Sequence, residues 1–110
     1  MSALAAANIK MMIPANPGGG WDTTGRALGK AMQDAKVADS VNFENKGGAA
    51  GALGLAQFVN GSKGDANAVM VMGAVMLGGS ITGKPPVSLS QATPIARLTS
   101  EYKVFVLPAD

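Results

Sequence analysis

The chain has 110 residues, enough for one domain with a core of its own and too few for a two-lobed receptor or a large enzyme. Its net charge is +2 without a run of Lys or Arg, so the footprint of a nucleic-acid binder is missing. The lack of both Cys and His removes thiol nucleophiles, imidazole bases and the usual transition-metal ligands. Acid–base chemistry would rest on seven carboxylates and a few Lys; with 15 Gly and few aromatics, backbone is expected to do the recognising, and no enzymatic role, metal or cofactor is assigned.

Ser2-Ala3-Leu4-Ala5-Ala6-Ala7 is rich in small residues in an Ala-x-Ala pattern. It reads either as the remnant of a secretory signal, with the mature chain starting near Asn8, or as an Ala-rich leader. Residues 1–7 are therefore set apart from a unit spanning 8–110. No apolar run approaches the roughly 20 residues of a membrane span.

Residues 9–15 form a short apolar strand candidate without period-2 alternation, as expected when both faces are covered. Asn16-Pro17-Gly18-Gly19-Gly20-Trp21-Asp22 follows, and Asp22 is suited to be a helix N-cap. Over residues 23–35, Ala27, Leu28, Ala31, Met32 and Ala35 lay one apolar stripe along a helix. Residues 41–45 alternate over a strand length, and Lys46-Gly47-Gly48-Ala49-Ala50-Gly51 makes a second glycine-rich turn. Ala52, Leu55, Ala56 and Val59 mark a second amphipathic helix, stopped by Asn60-Gly61. Residues 68–77 are a longer apolar run interrupted by Gly73 and ended by Gly78-Gly79. Residues 80–93 read as a surface loop with room for a short helical turn, and 94–98 and 102–107 as two strand segments or one bent strand.

Strand, helix, strand, helix, strand makes two consecutive βαβ units, an α/β chain with a parallel sheet and flanking helices. Ligands of such sheets sit at the carboxyl ends of the strands, where both glycine-rich loops fall. A third loop, 73–75, joins them if the third strand ends there. Helix N-termini meeting at one place, each worth about half an elementary charge, would hold a carboxylate or phosphate through main-chain N–H groups.

Two phosphate signatures compete for the first loop. Gly20 and Gly25 have Walker A spacing but are followed by Arg26-Ala27, without the phosphate-grasping Lys and the magnesium-binding hydroxyl, so that reading fails. Gly18 and Gly20 begin a dinucleotide fingerprint, yet Thr23 stands where its third glycine belongs. Glu44, at the end of the second strand, suits a ribose hydroxyl. A Rossmann-type nucleotide-binding enzyme fragment is the alternative reading.

Pro14-Ala15-Asn16-Pro17-Gly18-Gly19-Gly20-Trp21-Asp22, with Arg26-Ala27-Leu28 one turn on, resembles the first loop and helix of the solute-binding proteins of tripartite tricarboxylate transporters, the Bug receptors. Phe43-Glu44-Asn45-Lys46-Gly47-Gly48-Ala49-Ala50-Gly51-Ala52-Leu53-Gly54 is similar to that family's second glycine-rich block, and Thr93-Pro94-Ile95-Ala96-Arg97-Leu98 to the segment leading toward its second lobe. The departures are Gly47 for the family's Pro, Ala50 for its Gly, and Lys63-Gly64-Asp65-Ala66 for its Pro-Asp-Gly-Tyr turn.

The resemblance implies the front part of lobe one of a type II periplasmic-binding-protein fold, with the second lobe absent. It implies a periplasmic receptor, exported through a cleaved signal peptide, that captures a di- or tricarboxylate or an acidic amino acid and delivers it to membrane permease subunits. Carried over by position, the ligand contacts are Asn16, Gly18, Gly19, Gly20 and Trp21, then Gly48, Ala49 and Ala50, with Gly73 and Ala74 behind them. Asp22 is assigned to capping and to pairing with Arg26, since its charge would repel a carboxylate. Trp21 either walls the pocket or covers core, and Asn45 braces its loop. The methionines at 70, 72 and 76 fill core, and Arg97 is better suited to a structural pair than to a carboxylate clamp. Uncovered sheet edges and apolar helix faces are expected to favour self-association.

Overall fold

The computed structural model describes residues 7–109. Strands β1 (Ala7–Ile13), β2 (Ala38–Asn45) and β3 (Ala68–Met70) alternate with helices α1 (Gly20–Asp34), α2 (Ala52–Gly61) and α3 (Ala74–Thr82). Two 3-10 turns lie at Ala49–Gly51 and Leu89–Gln91. The sheet is wholly parallel in the order β2-β1-β3. The protein is thus α/β, a three-stranded parallel sheet flanked by helices, as expected for part of a first lobe.

The apolar run of β1 follows from its central place. Met11 pairs with Phe43 on one side and Val69 on the other, and Ile9, Met11, Met12 and Ile13 are all buried. Successive side chains alternate between faces, so both faces must be covered. On one face Met11, Ile13 and Val71 pack with Leu28 and Met32 of α1 and with Val41, Phe43 and Val69. On the other, Leu55 of α2 and Met76 of α3 pack with Val87, Val59 and Met70. Trp21 belongs to both clusters.

Helix α1 comes close to the sheet because two residues on its inner side lack a Cβ. A Cβ at Gly25 would lie 2.9 Å from Ile13 Cδ1, and one at Gly29 would lie 2.5 Å from Phe43 Cζ. Chain direction then singles out one edge. The neighbouring strands β1 and β3 send their chains to opposite faces, into α1 and α3, which makes the carboxyl end of the sheet between them the topological switch point.

Several boundaries differ from expectation. Helix α1 starts at Gly20, three residues early, because extended Gly19 already serves as its N-cap. Ala7, set apart with the leader, is the first residue of β1 and pairs with Ala38, while the rest of the leader lies outside the described residues. The run 68–77 is two elements, β3 and α3, with extended Gly73 as the cap between them. The loop after α3 holds one 3-10 turn, fixed by a capping box in which Ser88 and Gln91 bond reciprocally. The segments 94–98 and 102–107 form no strand. Their Val, Phe and Tyr content favours extension, yet a strand needs a neighbour to pair its N–H and C=O groups, and this segment runs exposed, with Phe105 and Tyr102 almost wholly in solvent.

Candidate functional site

Three loops leave the carboxyl edge of the sheet, and each delivers its chain into a helix or a helical turn. The first, 14–19, precedes α1; the second, 46–48, precedes the turn at Ala49–Gly51 and then α2; the third, 71–73, precedes α3. Because all three strands are parallel, Asn16, Gly18, Gly19, Gly20, Trp21, Gly48, Ala49, Ala50, Gly73 and Ala74 all stand at one edge.

The loops also touch. The Asn16 side chain fills the space where Gly47 would carry a Cβ. A Cβ at Gly73 would lie 2.5 Å from Trp21 Nε1, and one at Gly51 would lie 2.7 Å from Met76 Cε and 3.1 Å from the Trp21 ring. Trp21 therefore wedges between the second and third loops and covers core in the same position. A Cβ at Gly79 would lie 2.7 Å from Ala50 Cβ, which brings the second loop against the middle of α3.

The second loop is strained. Gly48, Ala49, Ala50 and Gly51 have φ of 123°, 51°, 55° and 93° in succession. Glycine takes such values freely, whereas an L-residue there pushes its Cβ toward the following carbonyl. The two alanines are held in this turn by a bond from Gly51 N–H to the Gly48 carbonyl at 3.0 Å.

Backbone donors at this edge are largely unspent. Among the described residues, the N–H groups of Gly19, Gly20, Trp21, Gly48, Ala49, Ala50, Gly73 and Ala74 donate to no protein acceptor. Gly18 is the exception among the expected contacts: its N–H donates to Asp22 Oδ2 at 2.9 Å. The glycine caps of α1 and α3 have no side chain to satisfy the first turn; the first turn of α1 carries the Asp22 carboxylate, whereas that of α3 carries no acid and its positive end is uncompensated.

Asp22 is not the N-cap. It is the third residue of α1, buried at 5% exposure, and its carboxylate reaches back to Gly18. It also accepts from Arg26 Nε at 3.0 Å and from Asn45 Nδ2 at 3.0 Å. The Gly18 N–H first, then Asn45 and Arg26, hold its carboxyl down at about 2 against an ordinary 3.8. This anion is spoken for within the protein. So is the Arg26 cation, which also donates to Asn45 Oδ1 at 3.2 Å and lies over the Phe43 ring at 4.9 Å.

Asn45 braces more than its own loop. Its amide donates to the Ala15 carbonyl at 3.1 Å as well as to Asp22, tying the end of β2 to the loop after β1. Gly51, expected only as part of the second turn, and Gly79, expected to end an apolar run and found inside α3, both contribute to this packing. Arg97 forms no ion pair among the described residues.

Two cavities lie away from this edge. One, of about 310 Å³, runs between Thr23, Thr24, Ala27 and Leu28 of α1 and Leu98 and Thr99 of the exposed segment. The other, of about 140 Å³, lies between Lys10, Asn42 and Glu44 on the sheet, Phe58 of α2 and Ser62, which caps the end of that helix. The Glu44 carboxylate is engaged by the Gln57 amide on that same side. Among the described residues no group of three acidic, His or Cys side chains could hold a metal, and no helix is long and apolar enough to cross a membrane. In comparisons with known proteins, no family model, no curated protein and no solved structure matches the chain.

Proposed function

We propose that the chain is the front part of lobe one of a periplasmic solute receptor of the tripartite tricarboxylate type, gripping one carboxylate of a small solute and doing no chemistry on it. The observation that carries the reading is the set of uncommitted N–H groups from three touching loops at the sheet's switch point. Such an edge offers an acid group several donors and the positive ends of helices without a charged clamp. The internal neutralisation of Asp22 by Arg26 supports it, because no bare carboxylate is left to repel the ligand. The open shape of the edge fits half of a cleft whose second wall belongs to another lobe. Delivery would be to membrane permease subunits.

The test is a titration of the isotope-labelled chain followed by amide NMR, which reads weak binding. Succinate, citrate or glutamate at millimolar concentration should shift the amides of Gly19, Gly20, Ala49, Ala50, Gly73 and Ala74, and leave Gly18 least affected among the first-loop glycines. Shifts at these positions with NAD and none with any of the carboxylates would replace the receptor reading with that of a nucleotide-binding unit.

A further inference from the structure

Among the described residues, one methionine is exposed. Met11, Met12 and Met76 are buried at 6% or less, Met32 and Met70 are partly buried, and Met72 is 43% exposed. Its position distinguishes it further. Met72 lies between Val71, whose N–H closes the sheet by donating to the Met12 carbonyl at 3.0 Å, and Gly73, the uncapped start of α3. It is therefore carried by the third loop of the candidate site, and the N–H groups of Gly73, Ala74 and Val75 that follow it have no acceptor among the described residues.

We infer that Met72 is a selective oxidation site whose sulfoxide turns down anion binding at the edge of the sheet. A two-electron oxidant such as hydrogen peroxide transfers one oxygen. The thioether lone pair attacks a peroxide oxygen, the O–O bond breaks, and the departing hydroxide takes up a proton to leave as water. Sulfur is oxidised and peroxide is reduced, with no other reactant needed. The product replaces a soft apolar side chain with a strong hydrogen-bond acceptor immediately before three unpaired donors. Satisfying one of those donors internally removes one hydrogen bond from an incoming carboxylate, worth roughly a fivefold loss of affinity. Methionine sulfoxide reductases restore the thioether, one enzyme for each epimer, so the change is reversible.

The oxidation selectivity stands on exposure, the internal bond follows in this proposal from Met72 directly preceding the uncapped start of α3, and the effect on solute binding rests on the receptor reading. Graded hydrogen peroxide on the folded chain, followed by peptide mass mapping, should place the first added oxygen on Met72 before Met11, Met12 or Met76. Amide NMR of the oxidised chain should then show the Gly73 and Ala74 resonances moved, and succinate binding weakened about fivefold. A Met72→Leu chain should bind succinate normally and be indifferent to the same oxidant. Buried methionines oxidising as fast as Met72 would overturn the inference. So would unmoved Gly73 and Ala74 amides, or unchanged succinate affinity after selective oxidation. If the reduced chain does not bind succinate at all, the receptor reading fails, while the mass map and the two amide shifts still decide whether Met72 is the selective site that engages its own loop.

Discussion

Replacing Ala50 by glycine should make the protein more stable, although glycine substitution ordinarily does the reverse. Ala50 holds φ 55° and ψ 31° in the middle of a turn where four consecutive residues have positive φ. A side chain in that left-handed conformation costs roughly 1–2 kcal/mol. Glycine removes this cost, and its greater freedom in the unfolded chain takes back about 0.5–1 kcal/mol. Ala50 is exposed, so no buried cavity results. The net gain is about 0.5–1 kcal/mol. Urea unfolding followed by the fluorescence of Trp21, the one tryptophan, reads this directly, because its ring touches the neighbourhood of Gly51 and Gly73. With a slope near 1–1.5 kcal/mol per molar, the midpoint should rise by about 0.5 M. A second substitution checks the geometry. Gly79→Ala places its Cβ 2.7 Å from that of Ala50 and should lower the midpoint, and it should do so much less in the Ala50→Gly background, where the opposing methyl is gone. A lower midpoint for Ala50→Gly at unchanged slope would refute the strain argument.

The remaining predictions concern the same edge and the exposed segment. Gly73→Ala meets Trp21 Nε1 at 2.5 Å from an extended backbone, so its cost of about 1–3 kcal/mol is overpacking, read as a lower urea midpoint with displaced tryptophan emission. The Asp22 carboxyl titrates at about 2 when folded and near 3.8 when unfolded, so its contribution is complete above about pH 5 and is lost as the pH falls from there through 2. Asp65 is lowered as well, by the Asn67 N–H and then Lys10. Asp22→Asn should therefore flatten part of the acid decline in urea midpoint and leave a remainder. The described fold is embedded in a chain of 8,045 Å² accessible surface, against about 5,600 Å² for a compact monomer of its mass. With Val104, Phe105, Val106 and Leu107 all exposed, light scattering should report a mass above 11.0 kDa that rises with concentration, and a monomer at every concentration would contradict it.

What was legible in the sequence was the part governed by local rules. The apolar run of β1 and the stripe of α1 express burial on two faces and on one face, and they place the first two glycine-rich loops without reference to the rest of the chain. Less legible was everything decided by a partner elsewhere. Residues 102–107 carry the composition of a strand, yet no strand among the described residues pairs with them and they run exposed. Asp22 reads as a cap because acids favour that place, yet Gly19 can cap in extended conformation, which frees Asp22 to move one turn in and gather Gly18, Arg26 and Asn45. The spending of the Gly18 N–H follows from that shift. Gly25 and Gly29 were readable in principle: glycines four apart in a helix mark the side on which something comes close, here Ile13 and Phe43.

Those two glycines bear on the choice between carboxylate and dinucleotide. In the dinucleotide fingerprint the third glycine lets helix and strand approach, directly after the turn that meets the pyrophosphate. Here Thr23 stands at that place and is exposed, and the close approach is made at Gly25, against Ile13 and Val71. The packing role has thus moved deeper into α1, and Gly19 and Gly20 are left with open backbone and no such role. Glu44, which would read a ribose hydroxyl, is instead bonded to Gln57 of α2, on the side of the 140 Å³ cavity. A ribose would have to displace that amide. A carboxylate asks less: a few N–H groups converging at the switch point, and no acid to compete with it. Of the charged groups around the first loop, Asp22 and Arg26 are consumed by each other and by Asn45, so what the first loop has left to offer an anion is peptide N–H groups rather than a charged side chain.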